Sequence, residues 1–429
     1  MNKAFIIQLN EVNLEFLIKY SSKYNLKNIS HALNLNLIET ESENEYDNLE
    51  PWIQWTSFYT SKKFSDHNVF RLGDNENLNS SQFFDKILNS GKSLGCILPM
   101  NGGHSPNKAS FYISDPWSNF SQVGSKFEKK LGSTLSKIVN DNNKSAFNLN
   151  DLIIFATGVI LKGYFFRNIK SYFSLLINSF KKPWYKAIFL DFFLANFHLR
   201  MHFKYKTDVS SIFLNCGAHI QHHYFLNSEF IDKNSEKNPN WYLNEKHDPL
   251  KDVMKIYDQI LEKYFMHKNH KIFIISGLSQ SPREKPVFYW RLNDHENFLE
   301  TIGIEFKKVL PRMTRDFIIT FENLNNLDKG YDILKSLHDQ NTNKLFDTLE
   351  KRMKDFSIFA TLSYSLPLEG KYLIKDDKKI DLKEHLNFVA IKNGNHNSRG
   401  FCISNSEILK NEENTYIWDL SKLILKAIS

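Results

Sequence analysis

Ser211-Ile212-Phe213-Leu214-Asn215, with His219-Ile220-Gln221-His222-His223 close behind it, is the stretch on which the fold turns. The first part is apolar on both faces, which predicts a strand buried on both sides, as in a parallel sheet covered by helices. The second part sets three imidazoles within five residues just past the carboxyl end of that strand. A helix over 218–228 puts His219 and His222 at i,i+3 and His219 and His223 at i,i+4, so at least one pair shares a face. In open α/β sheets, ligands bind outside the carboxyl ends of the strands, where this cluster is expected.

Runs of the same kind recur at Phe5–Leu9, Gly95–Leu98, Ile272–Ile275 and Phe388–Ile391, each leading into a loop or helix. They predict an α/β fold: a doubly wound, mainly parallel sheet flanked by helices, as one domain over 1–429. Met1–Asn10 has too short an apolar core for a signal peptide and reads as the first strand. Thr415–Ile428 reads as a C-terminal helix. Residues 120–206 differ in character. Phe127–Asn143 is polar and Lys-rich, whereas Ile153–Phe203 is aromatic and aliphatic, with Lys162, Arg167, Lys170, Lys181, Lys182, Lys186 and Arg200 interspersed. This region is read as a helical insertion or lid, with peripheral membrane contact through 150–206 as a further role. Residues 229–250 and 323–345 read as surface excursions.

The composition, 41% hydrophobic and 24% charged over 429 residues, is that of a globular chain with a large core. The net charge of +7 is spread over diffuse lysines and specifies no acidic partner. Cys96, Cys216 and Cys402 are far apart without CxxC spacing, which points to a reduced, cytoplasmic setting. No apolar stretch reaches the ~20 residues of a bilayer span. Zinc-finger and helix-turn-helix patterns are missing, so no nucleic-acid partner is expected. No GxGxxG or GxxxxGK[ST] phosphate loop is present either.

The segments expected at one sheet edge are Asn10-Glu11, Glu50-Pro51-Trp52 to Thr60, Asp66-His67, the histidine cluster, Ser276-Gly277-Leu278-Ser279-Gln280 and Gly394-Asn395-His396. In this order they resemble the alkaline phosphatase superfamily, especially its type I phosphodiesterase and nucleotide pyrophosphatase-like branch. The family carries Asp-Gly where Asn10-Glu11 stands, and Asp-x-x-x-His where Ala218 to His222 stand. It carries Ser-Asp-His-Gly where Ser276 to Ser279 stand, and a late Gly-x-His at Gly394 to His396. Thr60-Ser61 and His67-Asn68 resemble landmarks downstream of the family's nucleophile. The resemblance implies an alkaline-phosphatase-like fold and a site that in the family holds two ions, commonly zinc or manganese. It also implies losses: Asn10, Ala218, Gly277 and Leu278 replace ligands, and Pro51 replaces the nucleophile. A covalent phospho-enzyme at Pro51 is therefore excluded, and the family's two-metal mechanism is not expected.

What remains defines the candidates. His222 and His396, with His219 or Glu11, can hold at most one zinc or manganese ion. Glu11 and Glu50 are candidate acids or bases, and His219 and His223 candidate proton donors or acceptors near pH 7. Arg71, Arg312 and Arg315 offer guanidinium forks for an anion, with Asp74 beside the first. Asn10, Trp52, Gln54, Ser276 and Gln280 complete the expected substrate contacts. The resulting expectation is a hydrolase or transferase acting on a phosphate- or carboxylate-bearing glycan or nucleotide-sugar intermediate of surface-polysaccharide assembly. Its alternative is a catalytically inactive relative that binds a glycan or scaffolds that assembly.

Overall fold

The structure, a computed structural model, describes residues 3–78, 81–102, 108–118, 120–140, 148–232, 234–312, 315–375, 378–410, 412–413 and 415–429. Met1-Asn2 of the expected first strand, residues 141–147 of the insertion and Met313-Thr314 between the two paired arginines fall outside them. The strands in chain order are β1 (Lys3–Leu9), β2 (Asn36–Glu41), β3 (Leu94–Ile97), β4 (Phe111–Ile113), β5 (Val209–Leu214), β6 (His270–Ser276), β7 (Ser279–Leu292) and β8 (Lys308–Pro311). They continue as β9 (Asp316–Thr320), β10 (Phe346–Arg352), β11 (Ser357–Leu362), β12 (Tyr372–Lys375), β13 (Lys378–Asp381), β14 (Leu386–Asn397), β15 (Arg399–Ser404) and β16 (Thr415–Tyr416).

Where the sequence reads as one domain, the chain divides into two compact units, 1–233 with 245–282 and 394–429, and 234–244 with 283–393. The first is built on an eight-stranded sheet in the order β16-β2-β15-β6-β1-β5-β3-β4. Every neighbouring pair in it is parallel except those made by β15. The fold is thus α/β with a mainly parallel sheet. β1 lies at its centre because Phe5, Ile6, Ile7 and Leu9 are buried, so both faces need cover. Ile7 sits opposite Ile212 on one side and Ile274 on the other. This register ends the strands together: Leu9 pairs with Leu214, and Gln8 with Ile275. The residues that follow leave from one edge.

Phe388–Ile391, expected in the main sheet, lies instead in β14, which pairs with β7. β15 takes the place beside β6, and Gly400 allows it: a Cβ there would fall 2.1 Å from the Ser276 carbonyl oxygen. The second unit has a four-stranded antiparallel sheet, β10-β11-β9-β8, and its own core around Phe317, Ile319, Leu334 and Ile358. The expected surface excursion 323–345 holds a helix of this unit, Leu324–Ser336, whose Leu327 and Leu334 are buried. Their i,i+7 spacing is a helical stripe that the polar composition masked.

Residues 120–206 form helices Lys126–Asn140, Leu149–Lys162, Ile169–Lys181 and Tyr185–Tyr205. Buried Glu128 ties the first, second and fourth together, accepting from Lys162 Nζ at 2.8 Å, Lys204 Nζ at 2.7 Å and the Tyr205 hydroxyl at 2.7 Å. Burial alone would raise its carboxyl, but the lysine contacts outweigh burial and hold it at about 2. All three cysteines are buried thiols. Among the described residues, no helix is long and apolar enough to cross a membrane.

At the opposite edge of the sheet, Phe5 is ringed by histidines. Its ring stacks on His270 with centroids 4.6 Å apart and also meets His198, His202 and His267. His202 Nε2 lies 3.1 Å from His270 Nε2. Burial lowers the imidazoles of His202 to about 3 and His270 to about 4, and it lowers His198 and His267 as well. These rings stay neutral in the folded chain, while the unfolded chain takes up their protons near pH 6.5. Their contribution is therefore complete above that pH and is lost as pH falls toward about 4. Thermal unfolding is expected at steadily lower temperature over this range, and the His202 and His270 ring resonances should titrate below pH 5. Titration near 6.5 in the folded protein would contradict this account.

Candidate metal centre

Four segments far apart in sequence converge where β1, β5 and β6 end. After β1 the backbone turns at Glu11 with φ 56°, a left-handed conformation that costs a residue with a Cβ about 1–2 kcal/mol. The turn is held by Gln221, whose amide donates to the Glu11 carbonyl at 2.5 Å and accepts from the Asn13 backbone N–H at 3.1 Å. This conformation sends the Glu11 side chain into the protein, where it is 2% exposed.

Around that carboxylate the ligands gather. His222 Nε2 lies 3.0 Å and His396 Nε2 3.2 Å from Glu11 Oε2. Asn10 Nδ2 donates to Oε1 at 3.0 Å, and the Gln280 amide donates to Oε2. Burial would push the Glu11 carboxyl up; the charges and hydrogen bonds of His222 and His396 outweigh it and hold the group well below the usual carboxylate range. Glu11 thus stands between two imidazoles, each within hydrogen-bonding distance of its Oε2.

The donor set fits a metal ion. One ligand atom each from Glu11, His222 and His396 lie within 4.8 Å of one another. Four ligands at the usual ~2.0–2.1 Å around zinc stand about 3.3 Å from each other, close to the 3.0 and 3.2 Å found here. One carboxylate and two imidazoles leave a fourth position for water or substrate. Glu50 adds an outer contact, its Oε2 3.8 Å from His396 Nδ1, on the side of the ring away from Glu11. Carboxylates so placed orient ligating histidines.

The helix after β5 runs Cys216–Tyr224, shorter than the expected 218–228, with a single 3₁₀ turn over Phe225–Asn227. His222 turns toward Glu11 and His396, its ring centroid 5.2 Å from that of His396. His219 and His223, at i,i+4, pair with each other at 4.8 Å. Buried Asp191 fixes the start of this helix by accepting the Cys216 N–H at 2.9 Å, and burial raises its carboxyl to about 6.

Several of the expected substrate contacts make hydrogen bonds within the fold. Asn10 is 1% exposed and its amide is used internally, accepting from Trp55 Nε1 at 2.9 Å and donating to Asn215 Oδ1 at 2.8 Å. Buried Gln54 donates to the Asn48 carbonyl at 2.7 Å, and Ser276 to the Leu278 carbonyl at 2.7 Å. Gln280 is drawn to Glu11 and the Ala218 carbonyl. Trp52 sits on the rim, its indole N–H on the Phe70 carbonyl at 2.9 Å, while Trp55 and Tyr59 are core residues. Asp74 caps the Arg71 backbone N–H at 3.0 Å, which closes an exposed turn. Arg312 and Arg315 belong to the second unit, where Arg315 lies over the Tyr289 ring at 3.9 Å.

Sequence reading missed Asn13, Asn215 and Gln221, which scaffold Glu11. A buried amide leaves no periodic signal. Gly394 belongs to the same frame: a Cβ there would fall 1.9 Å from the Gln280 amide oxygen.

Gly277 and Leu278 offer no ligand atom and lie among carbon atoms. Leu278 is buried, and a Cβ on Gly277 would meet Ile417 and Trp55 at 3.6 to 3.8 Å. The hydroxyls after Pro51 are committed: Thr56 to the Trp52 carbonyl at 2.8 Å, Thr60 to that of Thr56 at 2.8 Å. Ser57 faces His67 Nε2 at 3.0 Å, but His67 Nδ1 accepts the Val69 N–H, so the ring donates to Ser57 and cannot act as its base.

No protein-family model and no curated protein matches the chain. Solved structures similar to it over 100% of its length include phosphonoacetate hydrolase from Sinorhizobium meliloti 1021 in complex with phosphonoacetate, at 9% identity over 96% of that chain and TM-score 0.44. Murine ectonucleotide pyrophosphatase/phosphodiesterase 5 in complex with AMP is similar at 8% identity over 95% of its chain, TM-score 0.44. The human protein of that name is similar at 9% over 95%, TM-score 0.42.

Proposed function

We propose that Glu11, His222 and His396 hold one divalent metal ion, zinc or manganese, and that the site hydrolyses or transfers a phosphate-bearing substrate. The observation that carries this reading is the trio itself: three ligand atoms within 4.8 Å, at the carboxyl end of the central strands of a parallel sheet. The bound ion would supply Lewis-acid charge to a phosphoryl oxygen. Glu11 holds the charge of the site at a fixed point, and Glu50 orients the His396 ring. His223 and His219, on the neighbouring face of the same helix, are placed to exchange protons with a leaving group.

With Pro51 at the nucleophile position and Thr56, Ser57 and Thr60 committed, the attacking oxygen comes from water or an acceptor hydroxyl. No covalent enzyme intermediate is needed. A glycan or nucleotide-sugar intermediate of surface-polysaccharide assembly remains the substrate class, phosphate the group attacked. The lack of a ligand atom at Gly277 and Leu278 favours one further reading, a metal-holding binding protein without turnover.

We further propose that the insertion rests on an anionic membrane surface. Phe166, in the turn Phe165–Arg167, and Phe180 are 77% and 83% exposed, and Ile153 on Leu149–Lys162 and Phe173 and Ile177 on Ile169–Lys181 are exposed beside them. Exposed Arg167, Lys170 and Lys181 flank them. Apolar side chains bordered by cations suit an anionic lipid interface.

Purified chain stripped of metal is expected to bind one equivalent of zinc. His222→Ala and His396→Ala should each lose this binding by more than about tenfold, and Glu50→Gln should weaken it roughly 10–100-fold through the His396 ring. Unchanged zinc affinity in both histidine variants would overturn the reading. Phosphodiester hydrolysis that follows metal loading separates the enzyme from the binding protein. For the insertion, flotation with liposomes containing phosphatidylglycerol, but not with pure phosphatidylcholine, is expected, and the pair Phe166→Ser, Phe180→Ser should abolish it. Equal flotation of that variant would refute membrane contact there.

A further inference from the structure

A cleft of about 430 Å³ opens between the helices Leu149–Lys162, Ile169–Lys181 and Tyr185–Tyr205. Its walls are almost wholly apolar, with Phe155, Val159, Phe173 and Leu176 among them. Ordinary folding gives no reason to leave such a volume open among carbon atoms, and its size falls in the ~300–1,000 Å³ range of ligand sites. A second cleft, of about 340 Å³, shares three wall residues with the first: Ile138, Lys186 and Leu190. Its other end is lined by Asn215, Cys216 and His219. Asn215 accepts from Asn10, and the same Asn10 amide donates to Glu11. The two clefts therefore adjoin across shared walls, and together they run from apolar helices to polar residues that are hydrogen-bonded, through Asn10, to Glu11.

From this arrangement we infer that the substrate of the site is an amphiphile, a lipid-linked phosphate. Its acyl or isoprenoid chain lies in the outer cleft, and its phosphate head is led past His219 and Asn215 toward Glu11, His222 and His396. The outer cleft lies among the helices that bear exposed Phe173, Leu176 and Ile177, so a chain leaving a membrane enters it without crossing water. Lys186, exposed and shared by both clefts, sits where the apolar and polar parts meet and can pair with the phosphate in transit. The inference rests on the phosphate reading of the site and narrows it.

The test uses the zinc-loaded full chain and a series of n-alkyl phosphates from ethyl to dodecyl, each kept below its micelle concentration, with inorganic phosphate as the chainless reference. Binding is measured by calorimetry. Affinity is expected to rise with chain length, up to roughly fourfold per buried methylene. Ala156→Trp at the outer cleft and Leu190→Trp at the junction should each flatten this dependence while leaving inorganic phosphate binding within about twofold. Two substitutions at separate points guard against one of them misfolding. Affinity independent of chain length, with inorganic phosphate still bound, overturns the lipid inference alone. A chain-length dependence untouched by either tryptophan also overturns it, because the chain then binds elsewhere. Failure of every phosphate to bind overturns the phosphate reading with it.

Discussion

The structure depends on one buried charge. Glu11 stands at the end of the central strand, out of water, in a backbone conformation that its Cβ disfavours. An isolated carboxylate cannot remain ionised there; it must be met by cations or by enough hydrogen-bond donors. The chain supplies them from neighbouring segments: Asn10 from the same turn, His222 from the helix after β5, Gln280 from β7 and His396 from β14. Strand register makes this possible, because β1, β5 and β6 end within a residue of each other. A one-residue slip in any of them would withdraw a donor and leave the charge uncompensated.

The arrangement is also asymmetric. Polar residues converge on Glu11, whereas the neighbouring Gly277 lies against the carbon atoms of Ile417 and Trp55 and Leu278 is buried. A site with one set of ligands and one apolar wall suits a single ion and a single anion. The amides of Asn13 and Gln221 act at one remove from the carboxylate, and their loss is expected to show in the position of Glu11 before it shows in the fold.

Much of the sheet was legible from sequence because a doubly covered strand has a plain signature: Phe5–Leu9, Ile212–Leu214 and Ile272–Ile275 are apolar on both faces, and all three are strands of the large sheet. The second unit was not. Its strands are short and half-exposed, as in Phe346–Arg352, where Phe346 is the one fully buried residue, so alternation is weak. Phe388–Ile391 shows the limit of composition, since a β-branched and aromatic run forms a strand without saying which partner it takes. At the site, His222, His396 and Glu11 were legible as residue types with metal chemistry, but their convergence is a product of topology. Asn10, Gln54 and Ser276 were legible as polar residues near the site, but their internal hydrogen bonds, set by the surrounding fold, leave no signal in sequence.

The insertion gives the site its surroundings. Its helices leave an apolar cleft and exposed aromatic side chains, and an adjoining cleft reaches Asn215, Cys216 and His219 at the sheet edge. All of this turns on whether a metal ion sits at Glu11. The zinc absorption edge of the protein loaded with one equivalent of zinc reads that directly. The account expects a shell of nitrogen and oxygen ligands at about 2.0–2.1 Å, with the outer scattering of two imidazoles. A spectrum with sulfur ligands, or without imidazole scattering, would contradict it.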